Sequence, residues 1–429
     1  MQTSFEPNRK YAEQLDAQDE LRKFSDHFYK LKDTIYMDGN SLGLLSREAE
    51  ESVQRVIEEW KQLGINGWLQ PEIPWYSYCE KIASMEAPLA GAEPDEMAIT
   101  ASTTVNLHAL VRTFYQPTDK RSVILMDELN FPSDIYAVKS ILASLGRNPD
   151  TDLRLVKSTD GRFLNEQDII AEMDSGVALA LFPAVLYRSG QLLNLNLLSR
   201  ESHQRGILIG FDCSHSIGAV PHSFDRDEVD FAFWCNYKYM NNGPGGTAGL
   251  YVNRKHLPAR PAMAGWWGYN KERQFDMKLE FEPAPDAGAF HIGTPHLLST
   301  APLEGSLKLY NAAGIQNLRQ KSLHLTDYMM YLMDTLVPQE KSGYSIGTPR
   351  EPARRGGHIA VEHEEALRIN EALKKRGVVP DFRFPNVIRL APVPLYTSYL
   401  EVWQTVQHLK EIVEHKEYQN FSKKRGAVA

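Results

Sequence analysis

Gly206-Ile-Leu-Ile-Gly-Phe-Asp-Cys-Ser-His215, followed by Val229-Asp-Phe-Ala-Phe-Trp-Cys-Asn-Tyr-Lys-Tyr239, decides how the rest of the chain is read. Each stretch is a short apolar run that ends abruptly in polar residues, the pattern of a strand buried on both faces of a parallel sheet. Similar runs lie at 97–100, 122–126, 153–156, 177–182 and 248–252. Amphipathic stretches separate them, among them a predicted helix from about Thr104 to Tyr115 and another through Ile141 and Leu145 to Gly146. Alternation of this kind predicts an α/β chain with a mostly parallel, doubly wound sheet.

Upstream, Val53, Val56, Ile57, Trp60 and Leu63 fall at helical spacing and predict a helix ending at Gly64. Residues 65–75 hold Gly67, Trp68, Pro71, Pro74 and Trp75 without any period, which suits either a packed loop or the wall of a site. After residue 300 the texture changes to a long helical region, 301–336, then to strands near Ile359 and Ile388 with helices at 363–376 and 398–415. The expected organisation is a segment 1–64 packing on a small domain, a large domain over 65–300, and a small α+β C-terminal domain over 301–429.

Composition narrows the function. The 429 residues are 42% hydrophobic and 24% charged, with 47 basic against 55 acidic side chains, a net charge of −8. No positive field gathers nucleic acid or anionic lipid, and the short basic run Lys423, Lys424 and Arg425 reads as a solvated tail. Cys79, Cys213 and Cys235 form no CxxC and cannot all pair, as expected of a reducing compartment. The first 20 residues lack the apolar stretch of a signal peptide, and the longest apolar run, 177–186, is interrupted by Pro183. A cytoplasmic protein without membrane or nucleic-acid partners is expected.

In an open α/β sheet, ligands gather at the carboxyl ends of the strands, and four such ends are rich in chemistry. Ser102, Thr103 and Thr104 precede a helix, where they serve either as an ordinary cap or as an anion site built on free backbone amides. Phe131-Pro132-Ser133-Asp134 turns from a strand into a helix, with Phe131 either core or a platform for a planar ligand. Asp212 emerges from a strand where a carboxylate is costly without a partner. Lys238 follows 26 residues later, framed by Tyr237 and Tyr239 and backed by Gly243-Pro-Gly-Gly246, where burial would favour a nucleophilic amine.

Taken in order, this set meets the needs of pyridoxal 5'-phosphate (PLP): a helix terminus for the phosphate, an aromatic face for the ring, an acid for the ring nitrogen and a lysine for the aldehyde. No GxGxxG follows the early strands, and Gly243-Pro-Gly-Gly246 lacks the ending of a nucleotide-binding P-loop.

Through Asp212-x-x-His215 and Tyr237-Lys238 with its glycines, the chain resembles the class V branch of the aspartate-aminotransferase-like PLP enzymes, fold type I. Within it, the chain is similar to the kynureninase family through Tyr36-Met-Asp-Gly-Asn-Ser-Leu-Gly-Leu44, Thr104-Val-Asn-Leu-His108, Phe131-Pro-Ser-Asp134, Asn236-Tyr-Lys-Tyr239, Gly265-Trp-Trp-Gly268 and Arg389-Leu-Ala-Pro-Val-Pro-Leu-Tyr396. The resemblance implies a homodimer with composite active sites that hydrolyses L-kynurenine to anthranilate and L-alanine in tryptophan catabolism or NAD biosynthesis. It assigns Lys238 to the Schiff base and Asp212 to the ring nitrogen, with His215 nearby. Phe131 stacks on the ring, and Thr103, Thr104, Pro132, Ser133, Asp134 and Tyr237 complete the cofactor site, Tyr237 also as a proton donor. Trp266 and Thr294 arrive from the partner subunit, and Ser41, Trp68 and Arg389 meet the substrate, Arg389 at its α-carboxylate.

Two positions depart from the animal-type enzymes, which carry histidine where Trp68 stands and asparagine where Thr294 stands. An apolar Trp68 and a smaller Thr294 imply a preference for L-kynurenine over 3-hydroxykynurenine. Pro183 offers no hydroxyl at its strand end. The rivals are a cysteine desulfurase-like transferase, which needs a reactive cysteine beyond the lysine where none follows Cys235; a non-catalytic fold homologue, which has no use for Lys238, Asp212 and Arg389 together; and a metal hydrolase on Asp212, His215 and His222, which lacks a fourth ligand.

Overall fold

A computed structural model of the chain describes residues 5–424; the expectations placed on residues 1–4 and on Arg425 lie outside the described residues. The first strand, β1 (Ile35–Tyr36), belongs to a small ribbon described below. Seven strands form the central sheet: β2 (Met97–Ile99), β3 (Val123–Asp127), β4 (Leu153–Val156), β5 (Val177–Pro183), β6 (Leu208–Asp212), β7 (Phe231–Trp234) and β8 (Gly249–Val252). Their order is β2-β8-β7-β6-β5-β3-β4. The pairs from β7 across to β4 are parallel, whereas β8 runs antiparallel to both β7 and β2.

Strand periodicity sends alternate residues to opposite faces, and the core divides accordingly. In β5, Leu179 and Leu181 join Leu107, Leu110, Val138 and Ile141 of the helices Thr103–Phe114 and Pro132–Ser144. Ala180 and Phe182 join Tyr78, Ile82, Leu303 and Leu307 of the helices Tyr78–Ala90 and Leu297–Ala313 on the other face. Fully burying a side chain such as Phe182 or Phe211 contributes about 1.5–3 kcal/mol. Gly210 lets β6 lie close to β7, because a Cβ there would sit 2.0 Å from the Phe231 ring.

The second layer set is smaller. Strands β9 (Ser345–Ile346), β10 (Ile359–Glu362), β12 (Asp381–Arg383) and β13 (Val387–Leu390) form an antiparallel sheet in the order β12-β13-β10-β9. The helices Ile315–Leu336, Ala366–Lys375 and Tyr399–Glu414 share its core. Strand β11 (Val378–Val379) pairs in parallel with β1 and ties the N-terminal segment to this unit. The long helical region read as 301–336 is two helices broken at Gly314. Leu303, Leu307, Tyr310 and Leu318 belong to the core of the large sheet, and the second core begins at Leu325. The cores thus divide within the second of these helices, later than the change of texture at residue 301. The N-terminal segment spans both cores, with Leu21, Phe24 and Leu44 in one and Ala12 and Met37 in the other. Lys423 lies 3.2 Å from Glu365, and no helix among the described residues is long and apolar enough to cross a membrane.

Beneath β7, Trp234 donates through Nε1 to Oε1 of the fully buried Glu86 at 2.9 Å. Burial pushes the Glu86 carboxyl up from 4.5 to about 8. The folded chain therefore keeps a proton that the unfolded chain releases above pH 4.5, and this group's contribution is complete below that pH and lost as pH rises to about 8. The expected slope is about 1.4 kcal/mol per pH unit. Glu86→Gln should remove it, so the urea midpoint of the wild type should fall further between pH 6 and pH 8 than that of the variant. Equal falls would show that Glu86 does not hold the proton.

Candidate active site

The carboxyl ends of β3, β6 and β7 bring five of the sequence-predicted groups together. Asp212 is the last residue of β6, and one of its oxygens accepts the Ser214 amide at 2.8 Å. Lys238 stands in the turn after β7, where its Nζ lies 3.0 Å from Nε2 of His215 and 5.9 Å from the centroid of the Phe131 ring. Phe131 is the cap residue before the helix Pro132–Ser144 and is 41% exposed, so its face is available and the core alternative falls away. Asp134 in that helix is buried, and its carboxyl is raised well above the usual range, first by burial and then by the adjoining Asp212. Pro183 pairs in register with Asp212 and brings no hydroxyl to it.

The lysine turn is held from several sides. Asn241 and Asn242 donate their amides to the carbonyls of Lys238 at 3.0 Å and Asn236 at 2.9 Å, and the Tyr310 hydroxyl donates to the Tyr239 carbonyl. From the N-terminal segment, the Gly43 amide donates to the Tyr237 carbonyl at 2.9 Å. Tyr237 is half-buried, and its phenol is pushed up by the neighbouring Cys235 and by burial, which keeps it a neutral donor. His215 is held well below the usual imidazole range by burial, by Lys238 and by Arg389, so its Nε2 offers a lone pair to the amine.

Arg389 is only 1% exposed in β13. Its Nε and one terminal nitrogen bind Asp381, that same nitrogen reaches the Ser41 hydroxyl at 3.0 Å, and the other donates to the Tyr187 carbonyl at 2.7 Å. Tyr187 in turn meets Phe131 edge to face at 5.3 Å, which links the arginine to the ring platform. Asp38, beside this group, is pushed up to about 6 by burial and by Asp381.

Trp68, Trp266 and Thr294 form no hydrogen bond or ring contact with this cluster among the described residues. Trp68 lies between Trp75 at 5.8 Å and Trp267 at 5.4 Å, so residues 65–75 form a packed loop. Trp266 is 41% exposed, and Thr294 is exposed beside Trp60, Trp68 and Trp75 in a groove of about 430 Å³. Other residues of the site carried no pattern in the sequence. Asp127, Asp381 and Tyr187 each follow or join a strand unremarkably, and His358 is signalled only by the two glycines before it.

The donor set fits pyridoxal phosphate. Ser102 makes no side-chain bond to the first turn of the helix Thr103–Phe114, which leaves those amides for an anion, and the Thr104 and Ser133 hydroxyls lie 3.1 Å apart beside it. Phe131 offers the aromatic face, Asp212 the strand-end carboxylate and Lys238 the amine. Asp134 is buried against Asp212, so an acidic pair stands at the strand end beside these groups.

The fold is that of PLP-dependent enzymes. A C-DES mutant with glycine covalently linked to the PLP cofactor superposes with a TM-score of 0.76 at 17% identity, over 90% of this chain and 98% of that one. The cysteine desulfurase CsdA from Escherichia coli gives 0.75 at 14% identity, over 96% and 100%. Sequence is more specific than shape here: the kynureninase C-terminal domain model matches residues 318–409. A kynureninase of Geobacillus thermodenitrificans (strain NG80-2) is 58% identical over 429 residues, covering 100% of this chain and 99% of its own length. Another from Bacillus thuringiensis subsp. konkukian (strain 97-27) is 53% identical over 425 residues, covering 99% of each. The chain belongs to the kynureninase family.

A Cβ on Gly43 would sit 1.8 Å from Asn241 Oδ1 and 2.4 Å from the Lys238 carbonyl. Gly43→Ala should displace the lysine turn while leaving the far-ultraviolet circular dichroism unchanged. The fraction of chains labelled at Lys238 by pyridoxal phosphate and borohydride should fall about tenfold or more; undiminished labelling would show that this contact does not set the turn.

Proposed function

We propose that the chain is a PLP-dependent hydrolase that cleaves the Cβ–Cγ bond of L-kynurenine to give anthranilate and L-alanine. The observation that carries this reading is the Lys238 amine set between Phe131 and a neutral His215 at strand ends, in a chain 58% identical along its whole length to a named kynureninase. When bound, the cofactor supplies an electron sink for the carbon next to the substrate amine. Asp212, with the buried Asp134 beside it, would hold a proton on the ring nitrogen. Nζ of Lys238 takes the substrate Cα proton, with His215 Nε2 accepting from the amine. The Tyr237 hydroxyl donates a proton in the later steps.

Arg389 grips the substrate α-carboxylate through its planar fork. Because its terminal nitrogens already meet Ser41 and the Tyr187 carbonyl, the carboxylate displaces or shares these acceptors, which makes Ser41 part of the substrate site. Asp381 stays in place and keeps the buried cation paired.

A homodimer completes the site. Trp60 and Leu298 are exposed on the groove that holds Trp68 and Thr294, and Ile65 and Leu69 are exposed on the loop that carries Trp68, apolar surface of the kind that associates. A second copy covering it would carry Trp266 and Thr294 to its partner's lysine. Cys79, Cys213 and Cys235 are free and buried, in keeping with a cytoplasmic enzyme. Their burial also argues against the desulfurase reading, which needs an exposed thiol; burial pushes the Cys79 and Cys213 thiols up.

Lys238→Ala should abolish conversion of kynurenine, and borohydride reduction should place the cofactor on Lys238 by peptide mapping; residual turnover near the wild-type rate would overturn the reading. Arg389→Lys should raise KM about tenfold or more with a smaller change in kcat, since one lost bidentate contact to a carboxylate is worth at least ~1.4 kcal/mol. With Trp68 on the pocket wall, kcat/KM should be higher for kynurenine than for 3-hydroxykynurenine, and the reverse order would refute that assignment of the wall.

A further inference from the structure

Behind His215, away from the lysine, stands a second imidazole. His358 is fully buried immediately before β10, and its ring meets that of His215 edge-on at a centroid separation of 5.9 Å. Neither nitrogen of His358, nor Nδ1 of His215, has a hydrogen-bond partner among the described residues. Gly190 packs so closely on the ring that a Cβ there would lie 3.2 Å from Nε2, and the Arg188 carbonyl faces it outside hydrogen-bonding geometry. The charged and titratable groups facing the two rings are Lys238 of the turn after β7, Arg389 of β13 and Arg383 of β12. All are cations, so both imidazoles are neutral, and His358 is held down to about 3, first by burial and then by Arg389.

A neutral His215 that accepts from Lys238 at Nε2 must carry its proton on Nδ1. That buried N–H needs an acceptor. At a centroid separation of 5.9 Å the two rings make no direct hydrogen bond, and a single bridging water is the smallest group that would join them.

We propose that His358 is a positioning residue for the catalytic lysine: one buried water accepts from His215 Nδ1–H and donates to a ring nitrogen of His358, whose other N–H points at the Arg188 carbonyl. The chain of donors then runs in one direction, from Lys238 through His215 and the water to His358. It selects the His215 tautomer that presents a lone pair, not an N–H, to the amine. The proposal rests on the reading of Lys238 as the cofactor-bearing lysine.

The test is a pH titration of the cofactor's visible absorption in substrate-free holoenzyme, with steady-state kinetics beside it. His358→Leu removes the acceptor, and the midpoint of the absorption change should fall by about one pH unit, the size of one hydrogen bond to a charged group. Its kcat should fall about tenfold with KM little changed. His358→Gln, which keeps an acceptor and a donor, should restore both values to near wild type. In a His215→Asn background, His358→Leu should shift the midpoint no further. If the leucine variant does not fold, His358→Asn, whose shorter amide cannot reach the same water, takes its place with the same expectation. A midpoint that stays at the wild-type value in the leucine or asparagine variant, or moves equally in the glutamine variant, would overturn the proposal. A wild-type protein with no pH-dependent cofactor band would overturn instead the reading of Lys238.

Discussion

A lysine amine is useful as a base only where something nearby can share its proton without holding it, and the 3.0 Å contact between Lys238 Nζ and His215 Nε2 meets that condition. An imidazole surrounded by cations stays neutral, whereas a carboxylate in the same place would bind the ammonium as an ion pair and quench it. The acids of the site are kept elsewhere. Asp212 and Asp134 lie together at the end of β6 and the start of the neighbouring helix, with Asp127 raised to about 7 by burial behind them. Asp381 and Asp38 lie with Arg389. The site is thus divided into an acidic side, suited to keep a ring nitrogen protonated, and a cationic side with a neutral imidazole next to the amine.

That division depends on two cores meeting. Lys238, His215 and Asp212 are carried by the large sheet, while Arg389 and His358 are carried by the small one. The segment through Gly43 and Ser41 touches both, with Gly43 on the lysine turn and Ser41 on Arg389. The close approach at Gly43 leaves no room for a side chain, which gives a physical reason for glycine in a stretch that, read alone, looks like a simple turn. The Arg162 guanidinium bound to Glu362 of β10 adds a further tie between the two units.

Much of this was legible in the sequence because parallel strands buried on both faces leave an unmistakable apolar run. The runs at 122–126, 153–156 and 177–182 correspond to β3, β4 and β5, and the polar residues that follow the runs are those found at the strand ends. Lys238, Asp212 and Phe131 were legible for that reason. What could not be read was anything set by packing between distant segments. The helix Leu297–Ala313 lies on the large sheet because of its contacts with Arg47–Leu63 and Tyr78–Ala90, and no local pattern announces it. Asp381, the first residue of a short edge strand, becomes the partner of Arg389 only through the register of β12 with β13, which sets Asp381 opposite Arg389. His358 was silent for the same reason: a histidine after two glycines acquires meaning only once Gly190 and His215 close around it.

The comparison of shape with sequence shows where the chemistry resides. Cysteine desulfurases share this fold at 14% and 16% identity, so the parallel sheet alone selects no reaction. Selection lies in what surrounds the amine. The three thiols here are free and buried, so none is presented at the surface as a nucleophile. The rings of Trp68, Trp75 and Trp267 pack on one another apart from the lysine; Trp75 and Trp267 are buried, while Trp60 on the same groove is 61% exposed and costs solubility unless another surface covers it.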